Sequence, residues 1–146
     1  MKRILIIEDD KSQQLVYQYW FSDHSLVEKA MALKPAEACP RPTTRLDLCD
    51  NLSDAFKLVK QNDYDIILLD LHLGESESGL YFLQDLKLKS GKPKIIVVSA
   101  YFSSLEKLSL ENRENLVCLD KEEATQERLM LEMELKENNP IVSYSL

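Results

Sequence analysis

Five short runs rich in Leu, Ile and Val recur along the chain: Ile4–Ile7, Arg45–Cys49, Asp65–Leu69, Ile95–Val98 and Leu116–Leu119. Each is too short for a buried helix and reads as a strand. Between them the apolar spacing shifts to the helical period. A helix is expected over Lys11 to about Phe21, with Leu15, Tyr19 and Trp20 on its inner face. A second starts at a cap on Asn51 or Ser53 and runs to about Gln61, with Ala55, Leu58 and Val59 facing inward. A third covers Ser78–Lys89 through Leu80, Leu83 and Leu86, and Gly91 and Pro93 end it. A weaker helix is expected over Ser103–Leu110, and a last one over Thr125 to about Glu137. Strand alternating with helix implies right-handed crossovers and a parallel sheet covered on both faces. The fold class that fits is α/β, a flavodoxin-like doubly wound five-stranded sheet in the order 2-1-3-4-5. Sites on such sheets form beyond the carboxyl ends of the strands.

At 146 residues and 45% hydrophobic composition, residues 1–146 suit one globular domain. No apolar run is long enough to cross a bilayer, and the apolar part of MKRILIIEDD is too short for a signal peptide. A cytoplasmic protein with no membrane partner is expected. Cys39, Cys49 and Cys118 form no paired motif and read as reduced thiols. A net charge of −7 argues against direct binding of nucleic acid, which relies on basic patches.

The fold rule directs attention to the residues just past each strand. These are Glu8, Asp9 and Asp10 after the first, Asp70 after the third, Ser99 after the fourth, and Asp120 and Lys121 after the fifth. Glu8, Asp9 and Asp70 crowd three negative charges together, which costs free energy unless a cation joins them. Hard oxygen ligands with few fixed contacts suit Mg²⁺, and the metal plus Lys121 would bring the local charge close to neutral. Such a site is poised to accept a phosphoryl group on Asp70, with Lys121 and the metal stabilising the transferring oxygens. Ser99 could donate to a phosphoryl oxygen. Asp10 reads as a solvated acid in the first turn of a helix. Leu129 and Met133 read as core, and Cys118 as a small buried strand residue.

Four segments together resemble the receiver domain of two-component response regulators: ILIIEDD, DIILLDLHLG, IIVVSA and LVCLDK. Each falls at the end of a strand, in the family's order. The resemblance implies that Asp70 is the phosphoacceptor and that Glu8, Asp9, Asp70 and the main-chain carbonyl of His72 hold Mg²⁺. It also implies that Ser99 and Lys121 contact the phosphoryl group. The sequence departs from the family in four places. Glu122 follows Lys121 where the family has Pro, and Cys118 stands where an aromatic switch residue is usual. Gly74 replaces a common Pro. Asp9 and Asp70 are also farther apart than in the family, which points to an inserted segment at about residues 25–44 with three prolines in PAEACPRPTT.

The function expected is a stand-alone phosphoacceptor switch in a two-component phosphorelay. A sensor histidine kinase or phosphotransfer protein would donate the phosphoryl group, and a downstream effector protein would read the result. Residues 122–146 are expected to form one helix and a short tail, too little for an output domain unless the chain is a fragment. The chain is expected not to be an enzyme beyond its own phosphorylation and dephosphorylation. A receiver-like adaptor that works without phosphorylation is the alternative. A metal-dependent phosphatase fits less well, because His72 stands where such enzymes carry a second Asp.

Overall fold

The computed structural model describes residues 2–22, 44–71, 82–83, 85–86, 93–100 and 115–135. Their strands are β1 (Lys2–Ile7), β2 (Thr44–Cys49), β3 (Ile66–Leu71), β4 (Lys94–Ser99) and β5 (Leu116–Asp120). All pair in parallel, in the order β2-β1-β3-β4-β5. This is the doubly wound order that the strand and helix alternation implies.

The helices are α1 (Lys11–Phe21), α2 (Leu52–Gln61) and α3 (Gln126–Glu132). Asp10 caps α1 by accepting from the Ser12 and Gln13 amides at 2.8 and 3.4 Å. Asn51 caps α2 by accepting from the Asp54 amide at 2.7 Å. Thr125 caps α3 through the Arg128 amide at 3.2 Å. These short polar side chains replace hydrogen bonds that the first helical turn lacks. Phe82, Leu83, Asp85 and Leu86 have helical backbone, within the expected third helix. No described helix is long and apolar enough to cross a membrane.

The sheet buries two cores. Leu5, Ile7, Ile67, Leu69, Ile95 and Val97 face one side, against Ala55 of α2 and Phe82, Leu83 and Leu86. Ile4, Ile6, Ile66, Leu68, Ile96 and Val98 face the other, against Tyr17 and Phe21 of α1 and Leu129 and Met133 of α3. Successive residues point to opposite faces, so a strand covered on both sides reads as an unbroken apolar run. Each such side chain contributes roughly 1.5–3 kcal/mol by leaving water.

Three expectations need correction. The inner face of α1 is Tyr17 and Phe21, with Trp20 packed at its edge, whereas Leu15 and Tyr19 are 66% and 70% exposed. Strand β3 continues through Asp70 to Leu71, because both stay paired with β4 opposite Val98 and Ser99. Helix α3 ends at Glu132 rather than near Glu137. There Glu134 adopts φ 55°, the Leu135 amide donates to the Met130 carbonyl, and the Glu134 amide donates to that of Leu131. This pair of reversed bonds is a Schellman stop, normally built on Gly. Lys2 braces it by donating to the Met133 and Glu134 carbonyls at 2.7 and 2.8 Å.

Most of the expected insertion, the Ser103–Leu110 helix, Cys39, His72 and Gly74 lie outside the described residues.

Candidate functional site

The register brings the strand ends together. Ile7 lies opposite Leu69, so the next residues, Glu8 and Asp70, sit side by side. Ser99 closes β4 between Leu71 of β3 and Asp120 of β5. Lys121 follows at once, its amide donating to the Ser99 carbonyl at 3.0 Å. Glu8, Asp9 and Asp70 line one cleft with Asp50 and Asn51, which lie past β2.

Burial divides these groups. Glu8, Asp70 and Ser99 are buried, at 1%, 6% and 5% exposure, and Asp9 is exposed. The Glu8 carboxylate folds back to accept from the Asp10 amide at 2.9 Å. Its carbonyl accepts from Gln14 Nε2. The start of α1 is thereby tied to the end of β1.

Asp70 is held by two side chains. Lys121 Nζ donates to Oδ2 at 3.1 Å and lies 3.0 Å from Oδ1. Tyr17 Oη donates to Oδ2 at 2.9 Å. The carboxylate side chain is fully buried and that of Lys121 is 35% exposed. The pair is therefore sealed on the Asp70 side and open to solvent on the Lys121 side. Burial, then the charge of Asp70 and its hydrogen bond, push the Tyr17 phenol far above its ordinary range, and Glu8 adds to the effect. Tyr17 thus remains a donor at any ordinary pH.

The turn that aims Lys121 does not need proline. The Asp120 carbonyl accepts from the amides of Glu123 and Ala124 at 2.9 and 3.1 Å. Glu123 Oε1 in return accepts from the Asp120 amide at 3.2 Å. This reciprocal lock encloses Lys121 and Glu122.

Glu8, Asp9, Asp70 and Lys121 thus share one end of the sheet, and Ser99 ends the neighbouring strand. Among the described residues no three His, Cys, Asp or Glu side chains gather into a metal-holding group of their own. Mg²⁺ typically takes one or two carboxylates and keeps several waters. The acid-lined cleft beside Asp70 fits that hydrated mode better than a closed protein cage.

Tyr17 is the participant that the sequence did not reveal. A usable signal was present: Tyr17 lies seven residues, or about two helical turns, beyond the Asp10 cap, and so on the same side of α1.

Comparison with known proteins agrees with the fold. The family model described as the response regulator receiver domain matches residues 23–132. A crystal structure of a sensor protein from Polaromonas sp. JS666 is similar in fold, with a TM-score of 0.62 and 20% identity over 91% of this chain and 93% of that one. The receiver domain of Francisella response regulator 1452 aligns with a TM-score of 0.62 and 18% identity, over 92% and 95% of the two chains. A response regulator from Hahella chejuensis gives 0.59 and 19%, over 95% and 98%. No curated protein matches the chain in sequence.

Proposed function

This chain belongs to the response regulator receiver-domain family, and from that premise we propose that it is a signalling switch whose phosphoacceptor is Asp70. The observation that carries the reading is the pairing of Asp70 with Lys121 at 3.0 Å beside the Glu8 and Asp9 cleft. A carboxylate nucleophile needs positive charge near the incoming phosphoryl oxygens, and Lys121 supplies a fixed share of it.

The donor is a phosphorylated histidine of a sensor kinase or phosphotransfer protein. An oxygen of the Asp70 carboxylate bonds to phosphorus while the phosphorus–nitrogen bond breaks. The electron pair leaves with the imidazole, which takes up a proton. Lys121 follows the negative charge from the carboxylate to the phosphoryl oxygens, and Ser99, ending the adjacent strand, donates its hydroxyl to one of them. Glu8, Asp9 and Asp70 would hold Mg²⁺, with the main-chain carbonyl of His72 as the family resemblance implies. When bound, the ion offsets the crowded carboxylates and supplies positive charge to the transferring group. The changed surface then engages an effector protein. A cytoplasmic location follows from this role.

Incubation with Mg²⁺ and acetyl phosphate should add one phosphoryl group, read by intact mass, and Asp70→Asn should abolish the gain. A gain that survives Asp70→Asn refutes the assignment. One observation favours a phosphorylation-independent adaptor: the Asp70 carboxylate is already held by Tyr17 and Lys121. No mass gain in the wild-type protein would decide for that reading.

A further inference from the structure

Tyr17 is 2% exposed, and its hydroxyl spends its proton on Asp70 Oδ2 at 2.9 Å. Its ring stacks on Phe21 at 5.9 Å and meets Trp20 edge-on at 5.8 Å. The residue is fixed from both ends. The Asp10 cap and the Gln14 contact with the Glu8 carbonyl register α1 against the acid cleft, and Phe21 anchors the far turn in the core. Strand β5 itself, Leu116–Asp120, contains no aromatic residue.

A phenol donating to an ionised carboxylate makes a strong hydrogen bond. Phosphorylation converts that carboxylate into an uncharged acyl linkage and moves the charge to phosphoryl oxygens. The bond to Tyr17 is therefore stronger before transfer than during it. An interaction made mainly in the ground state slows the step. Afterwards a buried hydroxyl must find a new acceptor, because leaving it unsatisfied is costly.

We propose that Tyr17 is a positioning residue that restrains Asp70 and carries its change of state into the Trp20 and Phe21 cluster of α1. The proposal rests on Asp70 being the phosphoacceptor. It assigns the sensing of Asp70 to α1, where the chain has a buried aromatic hydroxyl, instead of to β5.

Trp20 is the one tryptophan of the chain, so its emission reports this cluster alone. With Mg²⁺ and acetyl phosphate, an Asp70 oxygen bonds to phosphorus, the bond from phosphorus to the acetyl oxygen breaks, and acetate leaves with the electron pair. Intact mass and Trp20 emission are followed together. Wild-type emission should change in step with mass. Tyr17→Phe should gain mass about three- to tenfold faster, the range expected for partial loss of a charge-assisted hydrogen bond, and its emission change should vanish. An unchanged or slower rate in Tyr17→Phe, or an emission change equal to that of the wild type, overturns the proposal while leaving Asp70 as acceptor. If Tyr17→Phe fails to fold by circular dichroism, wild-type emission that stays constant through full mass gain overturns it. No mass gain in the wild type removes the acceptor reading and this proposal with it.

Discussion

Replacing Lys121 with Met tests the electrostatics of the site without any phosphoryl donor. Met keeps the apolar stem and removes the ammonium. At about 3 Å and an effective dielectric near 20, the attraction removed is about 5 kcal/mol. Most of it does not appear as stability. Lys121 is 35% exposed and regains hydration in the unfolded chain, so water already offsets part of the pair. The Asp70 side is fully buried, and stranding a buried charge outright costs roughly 3–5 kcal/mol. Tyr17 still donates to Oδ2, which lowers that figure. The expected loss is about 2 kcal/mol, or a drop of about 4–8 °C in Tm for a domain of this size. Urea unfolding followed by circular dichroism, in EDTA, measures it. The same substitution in an Asp70→Asn background should cost less than about 0.5 kcal/mol, because no carboxylate remains to strand. Equal losses in the two backgrounds would show that Lys121 acts through packing, and the charge argument would fall.

Three further outcomes follow from the structure. Leu129 is fully buried between α3 and the sheet, so Leu129→Ala should lower the urea unfolding free energy by about 3 kcal/mol, and a loss below about 1 kcal/mol would contradict its core placement. Burial pushes the Cys49 thiol up to about 12, and Cys118 is also buried. A Cys39→Ser protein should therefore resist maleimide at pH 8 until urea unfolds it, and prompt stoichiometric labelling of the native protein is the refuting result. Lys94, donating to Glu132 at 3.0 Å, holds that carboxyl below its ordinary range, with Arg128 contributing. A depressed carboxyl adds stability above its unfolded value of about 4.3 and loses it as pH falls through the folded one. Lys94→Met should thus cost about 1 kcal/mol at pH 7 and almost nothing near pH 2, and a constant gap across that range excludes the linkage.

The strands were legible because the sheet is covered twice. Ile4–Ile7, Ile66–Leu69 and Ile95–Val98 have no solvent face and so no polar positions, with exposures of 4% or less throughout. The acids and the lysine were legible for a related reason. A charged residue directly after such a run can only stand at the mouth of the sheet, and parallel register brings the mouths together. Helix α1 gave no comparable signal. Its sequence offers two apolar stripes at helical spacing, Leu15 with Tyr19 and Tyr17 with Phe21, set on opposite sides of the axis. Hydrophobicity does not choose between them. The acceptor at Asp70 does, and it is brought to α1 only by tertiary structure. The choice has a consequence for chemistry, since each stripe carries a tyrosine and the one that turns inward sets the Tyr17 hydroxyl on Asp70. A Phe at position 17 would fill the same space, but Asp70 would then have Lys121 as its one described donor. The same logic applies at Lys121. Proline there restricts the backbone covalently, whereas Asp120 and Glu123 restrict it by exchanging hydrogen bonds. At Lys121 a restraint that the family motif assigns to one proline is distributed over hydrogen bonds that exist only once the chain has folded, and a motif reading therefore registers it as a departure.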